Sequence, residues 1–302
     1  MKKNLVIGAI TNYAWEDVEP FFNSFKQANF ENTDCVMFVH NMTSRTLNKI
    51  KNYNVKIIEI PKKFSNCRVN AYRWQLYRDF LEDKRDFYNL IFALDVRDSF
   101  FQRDLFKLCD NKPFLGVALE DGFLTERWST GWLLKIYGSE IYETIKNNRI
   151  ICSGTICATY DEFIKFLDAL NNEIKPFEKE NFWVSDQNCE SGIIYHKKMF
   201  HDVLKTSTNY DGYIMTIGFT NPENIKLDAN GNIFNEVGEI AAVVHQYDRK
   251  KLIVAMVKAK YCAEKNFYSN LIYRCEKKFN VLRRDGILKI IIRKCKKLFK
   301  RI

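Results

Sequence analysis

Four short apolar runs rich in β-branched residues, Leu5 to Ile10, Cys35 to Val39, Val55 to Ile60 and Leu90 to Leu94, punctuate the start of the chain. Between them lie Trp15 to Ala28, Thr43 to Tyr53 and Asn66 to Leu81, whose apolar positions recur at helical spacing. The order β-α-β-α-β-α-β predicts a parallel sheet covered by helices on both faces. Such sheets take ligands beyond the carboxyl ends of their strands. The residues to watch are therefore Thr11-Asn12-Tyr13, His40-Asn41, Pro61-Lys62 and Asp95-Val96-Arg97-Asp98.

The second half is more mixed. Phe114 to Leu119 and Ile150 to Ala158 predict strands, while Asp161 to Leu170 and Asp186 to Met199 predict helices. Asn230-Gly231 has the turn chemistry of a hairpin, and the apolar run Ala241 to Val244 delivers His245. No repeat, low-complexity tract or Pro/Gly linker interrupts the pattern, so 1–255 is expected to form one domain and 256–302 a helical basic extension.

Charge sharpens this division. The 302 residues carry a net charge of +10. Positions 271–302 hold 12 Lys/Arg and 2 Asp/Glu, which accounts for all of the excess. A neutral body argues against a nucleic-acid surface, and no nucleic-acid partner is expected. In the tail, Leu288, Ile291, Ile292, Cys295, Leu298, Phe299 and Ile302 recur at three- and four-residue steps, with Lys289, Arg293, Lys296 and Lys300 on another face. That is an amphipathic basic helix suited to an anionic membrane surface; the rival is a helix docked on the body or on a dimer partner. Charge arithmetic favours the membrane, because a neutral body gives a cationic tail no reason to fold back. The oligomeric state is left open. No run approaches the roughly 18 to 20 apolar residues of a spanning helix. Nine cysteines without a C-x-x-C pair point to reduced thiols. The start, with Glu16 and Asp17 soon after its apolar run, reads as a first strand rather than a signal peptide. The expected location is cytoplasmic, peripheral at the inner face of the membrane.

No G-x-G-x-x-G or G-x-x-x-x-G-K-[ST] occurs, so neither a dinucleotide fingerprint nor a P-loop is supported. The informative stretch is Asn89 to Phe106, an apolar strand ending in Asp95 and Asp98. Two clustered carboxylates repel each other unless a cation lies between them, and oxygen ligands favour Mg²⁺ or Mn²⁺. A solvated turn in which Arg97 pairs with either acid would look the same. Other positions stay equally open. Arg73, one helical turn before Tyr77, could reach a diphosphate or sit on a solvated basic face. Cys152-Ser153-Gly154-Thr155 could approach a sugar or form a tight turn. Ser185 is suited to capping a helix whose first acid, Asp186, could be only a dipole partner.

Four ordered motifs resolve part of this. L-x-D-V-R-D-x-x-F-Q-x-D-x-F (Leu94 to Phe106), C-S-G-T (Cys152 to Thr155), D-Q (Asp186-Gln187) and V-H-Q-Y-D-R (Val244 to Arg249) resemble the GT-A type nucleotide-sugar glycosyltransferases. The resemblance implies a Rossmann-like, mostly parallel α/β fold and a metal-dependent transfer, of the hexosyltransferase type, from a nucleotide-diphosphate sugar to a saccharide hydroxyl. Because the basic tail would bring the site to a membrane surface, the expected acceptor is a lipid-linked saccharide of polysaccharide biosynthesis. The resemblance also implies Asp98 and His245 as metal ligands with Asp95 close by, and Mn²⁺ in preference to Mg²⁺, because imidazole suits it better. Thr11, Asn12 and Tyr13, with Arg73 and Asp95, would hold the nucleotide. Ser153, Gly154, Thr155 and Gln187 would face the sugar, and Asp186 would act as the catalytic or donor-orienting acid. One departure is D-x-x-D in place of D-x-D: like-facing strand residues are two apart, so the strand is expected to end between Asp95 and Asp98. A nucleotide-sugar hydrolase, a nucleotidyltransferase or a non-catalytic membrane-surface protein are the alternatives.

Overall fold

The structure, a computed structural model, describes residues 1–64, 68–109, 112–180, 185–263, 270, 272–278 and 280. In chain order the strands are β1 (Lys3–Thr11), β2 (Thr33–His40), β3 (Val55–Glu59), β4 (Tyr88–Leu94), β5 (Ser99–Phe101), β6 (Leu115–Phe123), β7 (Arg149–Thr159), β8 (Leu204–Ser207), β9 (Ile214–Thr216), β10 (Lys226–Leu227), β11 (Ile233–Phe234) and β12 (Val243–His245). The helices are α1 (Trp15–Ala28), α2 (Ser44–Lys51), α3 (Val69–Leu81), α4 (Arg127–Ile145), α5 (Tyr160–Ile174), α6 (Asp186–Ser191) and α7 (Lys251–Tyr261).

The main sheet runs β3-β2-β1-β4-β7-β6-β8. β1 to β4 pair in parallel as the sequence pattern predicts, and β7 alone runs antiparallel to its neighbours β4 and β6. Alternation along β1 explains the two-sided cover. Leu5 and Ile7 enter a core with Trp74, Phe163 and Phe166, whereas Val6 and Ile10 enter another with Phe21, Phe22 and Met37. The sheet is thus mostly parallel and flanked by helices.

A second, three-stranded sheet, β5-β12-β9, stands beside the ends of the first. Its register sets His245 opposite Ser99 on β5 and Thr216 on β9, which brings a late histidine next to the acids that precede β5. Gln246 then takes a left-handed backbone (φ 60°) and ends the strand. α7 runs across position 255 and buries Ile253, Val257 and Tyr261 against Phe100, Val244 and Tyr247.

Three expectations need amendment. The helix expected over Asp186 to Met199 stops at Ser191 and continues as a π-turn over Gly192–His196. The hairpin at Asn230-Gly231 forms, but its loop is longer than a two-residue turn, with Asp228 Oδ1 accepting the N–H groups of Asn230 and Asn232 at 2.9 and 2.8 Å. Finally, positions 272–278 and 280 are helical and pack on the body. Lys277 Nζ and Tyr273 Oη reach Asp17 at 3.0 Å, and Arg45 reaches Glu276 at 2.6 Å. Net charge gave no reason for this contact, because pairing is decided by individual neighbours rather than by the sum. The amphipathic stripe Leu288 to Ile302 lies outside the described residues. Among the described residues no helix is long and apolar enough to cross a membrane.

Candidate functional site

β4 ends at Leu94, before both acids rather than between them, and a turn carries Asp95 to Asp98 into β5. The Asp95 N–H is held by the Gly154 carbonyl at 2.9 Å. Freed from strand alternation, both carboxylates turn toward His245. Asp98 Oδ1 lies 3.6 Å and Asp95 Oδ2 3.8 Å from His245 Nε2, and one ligand atom from each of the three residues lies within 4.8 Å of the others. These separations are too long for hydrogen bonds. His245 is 2% exposed, and its Nε2 has no hydrogen-bond partner. Its Nδ1 faces Cys152 Sγ at 3.2 Å and Thr216 Oγ1 at 3.4 Å, which fixes the ring.

A buried nitrogen without a partner, facing two carboxylate oxygens, is the donor set of a small divalent cation. Gly154 completes the cradle. An ideal Cβ there would lie 2.7 Å from His245 Nε2 and 2.9 Å from Asp95 Oδ2. Burial opposes the charge of His245, but Cys152 and the carboxylates of Asp98 and Asp95 outweigh it and hold its pKa well above the ordinary value; a cation would take the place of that proton, because imidazole ligates in its neutral form. Burial would raise the pKa of Asp95, yet the Arg73 guanidinium and then His245 hold it well below the usual carboxylate range.

Arg73 is the hub of a second layer. It is 6% exposed. One Nη pairs with Asp95, while the other donates to Asp186 Oδ2 at 2.9 Å and to the Ser153 carbonyl at 3.1 Å. This differs from both the solvated face and the open phosphate clamp expected of it. Asp186 is fixed further by Trp74 Nε1 at 3.0 Å, by Asn70 Nδ2 at 3.3 Å and by the Gln187 N–H at 3.1 Å. Ser185 caps α6 as its sequence suggests, accepting the Asn188 N–H at 3.3 Å. One turn along α6, Glu190 is fully buried, neither carboxyl oxygen has a hydrogen-bond partner, and burial pushes its pKa up to about 8.

Around these two layers sit the remaining sequence candidates. Ser153 and Thr155 are buried, and Gly154 lies against His245 and Asp95. The register between β6 and β7 shifts at this point, a bulge of the kind found beside binding sites. Gln187 Nε2 donates to Glu120 at 2.9 Å, and Gln246 Nε2 donates to the same Glu120 oxygen at 3.0 Å. At the ends of β1 and β2, Asn12 and Asn41 both adopt left-handed backbones (φ 61° and 54°) and are joined side chain to side chain. Tyr13 lies beside them under Arg97, whose guanidinium is 5.9 Å from the ring centroid and pairs with Asp248 at 2.8 Å. Arg97 also lies 3.8 Å from Asp98, so the ion pair weighed from the sequence exists alongside the histidine cluster.

Sequence reasoning missed Glu120, Gln246, Trp74 and Glu190. Glu120 carried the one available signal, an acid at the end of an apolar run. Gln246 stood inside the V-H-Q-Y-D-R motif without a role of its own, and Trp74 and Glu190 gave no signal, because their partners come from distant segments.

Compared by sequence, the chain matches no protein-family model and no curated protein. Compared by structure, it is similar to an active-site mutant of LgtC, with a TM-score of 0.55 and 10% identity over 88% of this chain and 99% of that one. It is also similar to the galactosyltransferase LgtC in complex with donor and acceptor sugar analogues, with a TM-score of 0.54 and 12% identity over 90% of this chain and 99% of that one. These likenesses establish the architecture, which matches GT-A glycosyltransferase structures.

Proposed function

We propose that the protein is a metal-dependent glycosyltransferase that moves a sugar, of the hexosyl type, from a nucleotide-diphosphate donor to a hydroxyl of a saccharide acceptor. The observation that carries this reading is the convergence of Asp95, Asp98 and the partnerless Nε2 of His245 at the carboxyl end of β4. That is where an open α/β sheet takes its ligand, and the fold is one in which LgtC was solved with donor and acceptor sugar analogues.

Asp98 and His245 would hold the cation, with Asp95 beside them, and Mn²⁺ suits a mixed oxygen and imidazole set better than Mg²⁺. When bound, such an ion supplies positive charge to the diphosphate as it departs. In transfer, the bond between the anomeric carbon and the diphosphate oxygen breaks with its electron pair staying on the diphosphate, a bond to the acceptor oxygen forms, and the acceptor hydroxyl's proton passes to the departing diphosphate. Thr11, Asn12 and Tyr13 are assigned to the nucleoside. Arg73 acts through Asp95 and Asp186, holding both carboxylates in place. Gly154 and Gln187, with the neighbouring Ser153 and Thr155, are assigned to the sugar side. Asp186, already accepting several hydrogen bonds, is better suited to orienting the donor than to taking a proton. We assign 1–255 as the catalytic body and 256–302 as a basic extension that brings it to the inner face of an anionic membrane, where a lipid-linked saccharide of surface polysaccharide assembly would be the acceptor.

Calorimetry with Mn²⁺ and a panel of UDP- and GDP-sugars tests this. Donor binding that requires Mn²⁺ and disappears in Asp98→Asn, with an unchanged melt of the unliganded protein, supports the reading. Binding that is indifferent to metal and to Asp98 overturns it. Sugar release to water that no saccharide acceptor can divert would instead indicate a hydrolase.

A further inference from the structure

Tyr273, Glu276 and Lys277 recur at three- and four-residue steps, so they share a helix face. That face meets the first turns of α1 and α2. Glu276 has a side chain only 5% exposed. Its Oε1 accepts from Thr46 Oγ1 at 2.7 Å and from Thr43 Oγ1, and its Oε2 accepts from Arg45 Nη1 at 2.6 Å. Arg45 in turn pairs with the buried Glu16 of α1. Asp17, also in the first turn of α1, takes Tyr273 and Lys277 on one side and the Ala14 N–H at 3.0 Å on the other.

These helix starts have a particular place in the fold. α1 follows β1 through Asn12 and Tyr13, and α2 follows β2 through Asn41 and Met42. Asn12 and Asn41 hold left-handed backbones, a conformation Asn tolerates better than other L residues, and what sets them apart from the chain's other left-handed asparagines is that their side chains are joined to each other. α2 has no acidic residue in its own first turn. A carboxylate there would be stabilised by the positive end of the helix, and Glu276 supplies one from far along the chain. Glu276 therefore anchors Thr43, two residues along the chain from Asn41, whose side chain is joined to Asn12, and it reaches the start of α1 through Arg45 and Glu16.

We propose that Glu276 is a positioning residue for the nucleoside end of the donor site: by tying the starts of α1 and α2 together it holds Asn12 and Asn41 in their binding conformation without touching the donor. The proposal rests on the reading that a nucleotide binds at the ends of β1 and β2. It makes donor affinity depend on the docking of the same segment that leads into the basic tail. Release of the helix relaxes the nucleoside loops and leaves the Asp95, Asp98 and His245 cluster as it is.

The test uses the full chain. UDP and GDP binding in the presence of Mn²⁺, and Mn²⁺ binding alone, are measured for the wild type, Glu276→Ala, Glu276→Gln and Lys277→Ala, together with kcat and KM for the sugar donor. Glu276→Ala is expected to weaken nucleotide binding and raise donor KM about tenfold, with kcat and Mn²⁺ affinity within about twofold of wild type. Glu276→Gln retains an acceptor for the threonine hydroxyls and is expected to recover most of the loss. Lys277→Ala, which keeps the buried carboxylate, guards against a variant that fails to fold and is expected to give a smaller change of the same kind. Wild-type nucleotide affinity in a folded Glu276→Ala overturns the proposal, as does a loss confined to kcat or to Mn²⁺ affinity. A wild type that binds no nucleoside diphosphate at all overturns the reading of the donor site, and this proposal falls with it.

Discussion

Gly154 leaves no room for a methyl group beside His245. An ideal Cβ at 154 would sit 2.5 Å from the imidazole Cε1, closer than real side chains approach. Gly154→Ala should therefore push the ring or Asp95 aside. Because the Gly154 backbone has no left-handed φ, the fold itself should tolerate the change. Overpacking of this kind costs on the order of 1–3 kcal/mol, and Mn²⁺ affinity should fall by at least about tenfold. A calorimetric titration that matches wild type would remove Gly154 from the site.

Arg73 is shared by two carboxylates, and replacing it by Met strands the buried Asp186, while the half-buried Asp95 keeps access to water. Removing one partner of a buried ion pair costs about 3–5 kcal/mol, so Arg73→Met should lower the denaturant midpoint strongly. Adding Asp186→Asn should restore part of that stability, since one uncompensated charge goes with it. Strict additivity of the two substitutions in urea unfolding would contradict the shared-guanidinium arrangement.

Glu190 sets a pH dependence that can be worked out in sign. Its folded pKa is raised from the ordinary 4.5 to about 8 by burial. Between those values the unfolded chain is ionised there while the folded protein keeps the proton, so stability is lost as pH rises, by at most about 1.4 kcal/mol per unit. Below this window, and above pH 8, the contribution is flat. Glu190→Gln should lack that slope, so its stability should gain on the wild type from pH 5 toward pH 8. Thermal melts running parallel across that range would show that Glu190 is ionised in the fold.

Deleting Asp285 to Ile302 removes seven Lys/Arg residues and the apolar stripe but leaves Glu276 and Lys277 in place. The shortened protein should fold and bind donor, while losing attachment to anionic vesicles that the full chain binds in a salt-sensitive way. Flotation assays check this. Aggregation of the shortened protein, with the full chain ignoring anionic vesicles, would place the stripe against protein instead.

Much of the fold was legible because it rests on local periodicity. α1 occupies the span its apolar spacing marks out, and the parallel strands β1 to β4 match their β-branched runs to within two residues. α4 was not legible: Gly138 breaks it with a φ of 78°, and Trp128 and Leu134 stand exposed instead of joining one buried stripe. At the site, Asp95, Asp98 and His245 could be picked out as chemistry, but the strand end could not be placed, because where β4 stops depends on the Gly154 carbonyl that holds Asp95. Arg73 was read for its charge alone. Its burial follows from Trp74 and Asp186, which no spacing within α3 announces.

The central place of β12 in the small sheet has a consequence for the nascent chain. β5 has no partner of its own until Val243 to His245 arrive, so a ribosome that has finished β4 and β5 has made both acids but not the nitrogen that faces them. The wide separation in sequence makes this pairing a late event in folding. A product that stops short of β12 displays two aspartates with neither the imidazole nor the strand that aligns Ser99. The proposed cation site is therefore assembled from both sides of the fold, and the acids alone, without β12, supply only two of its three donors.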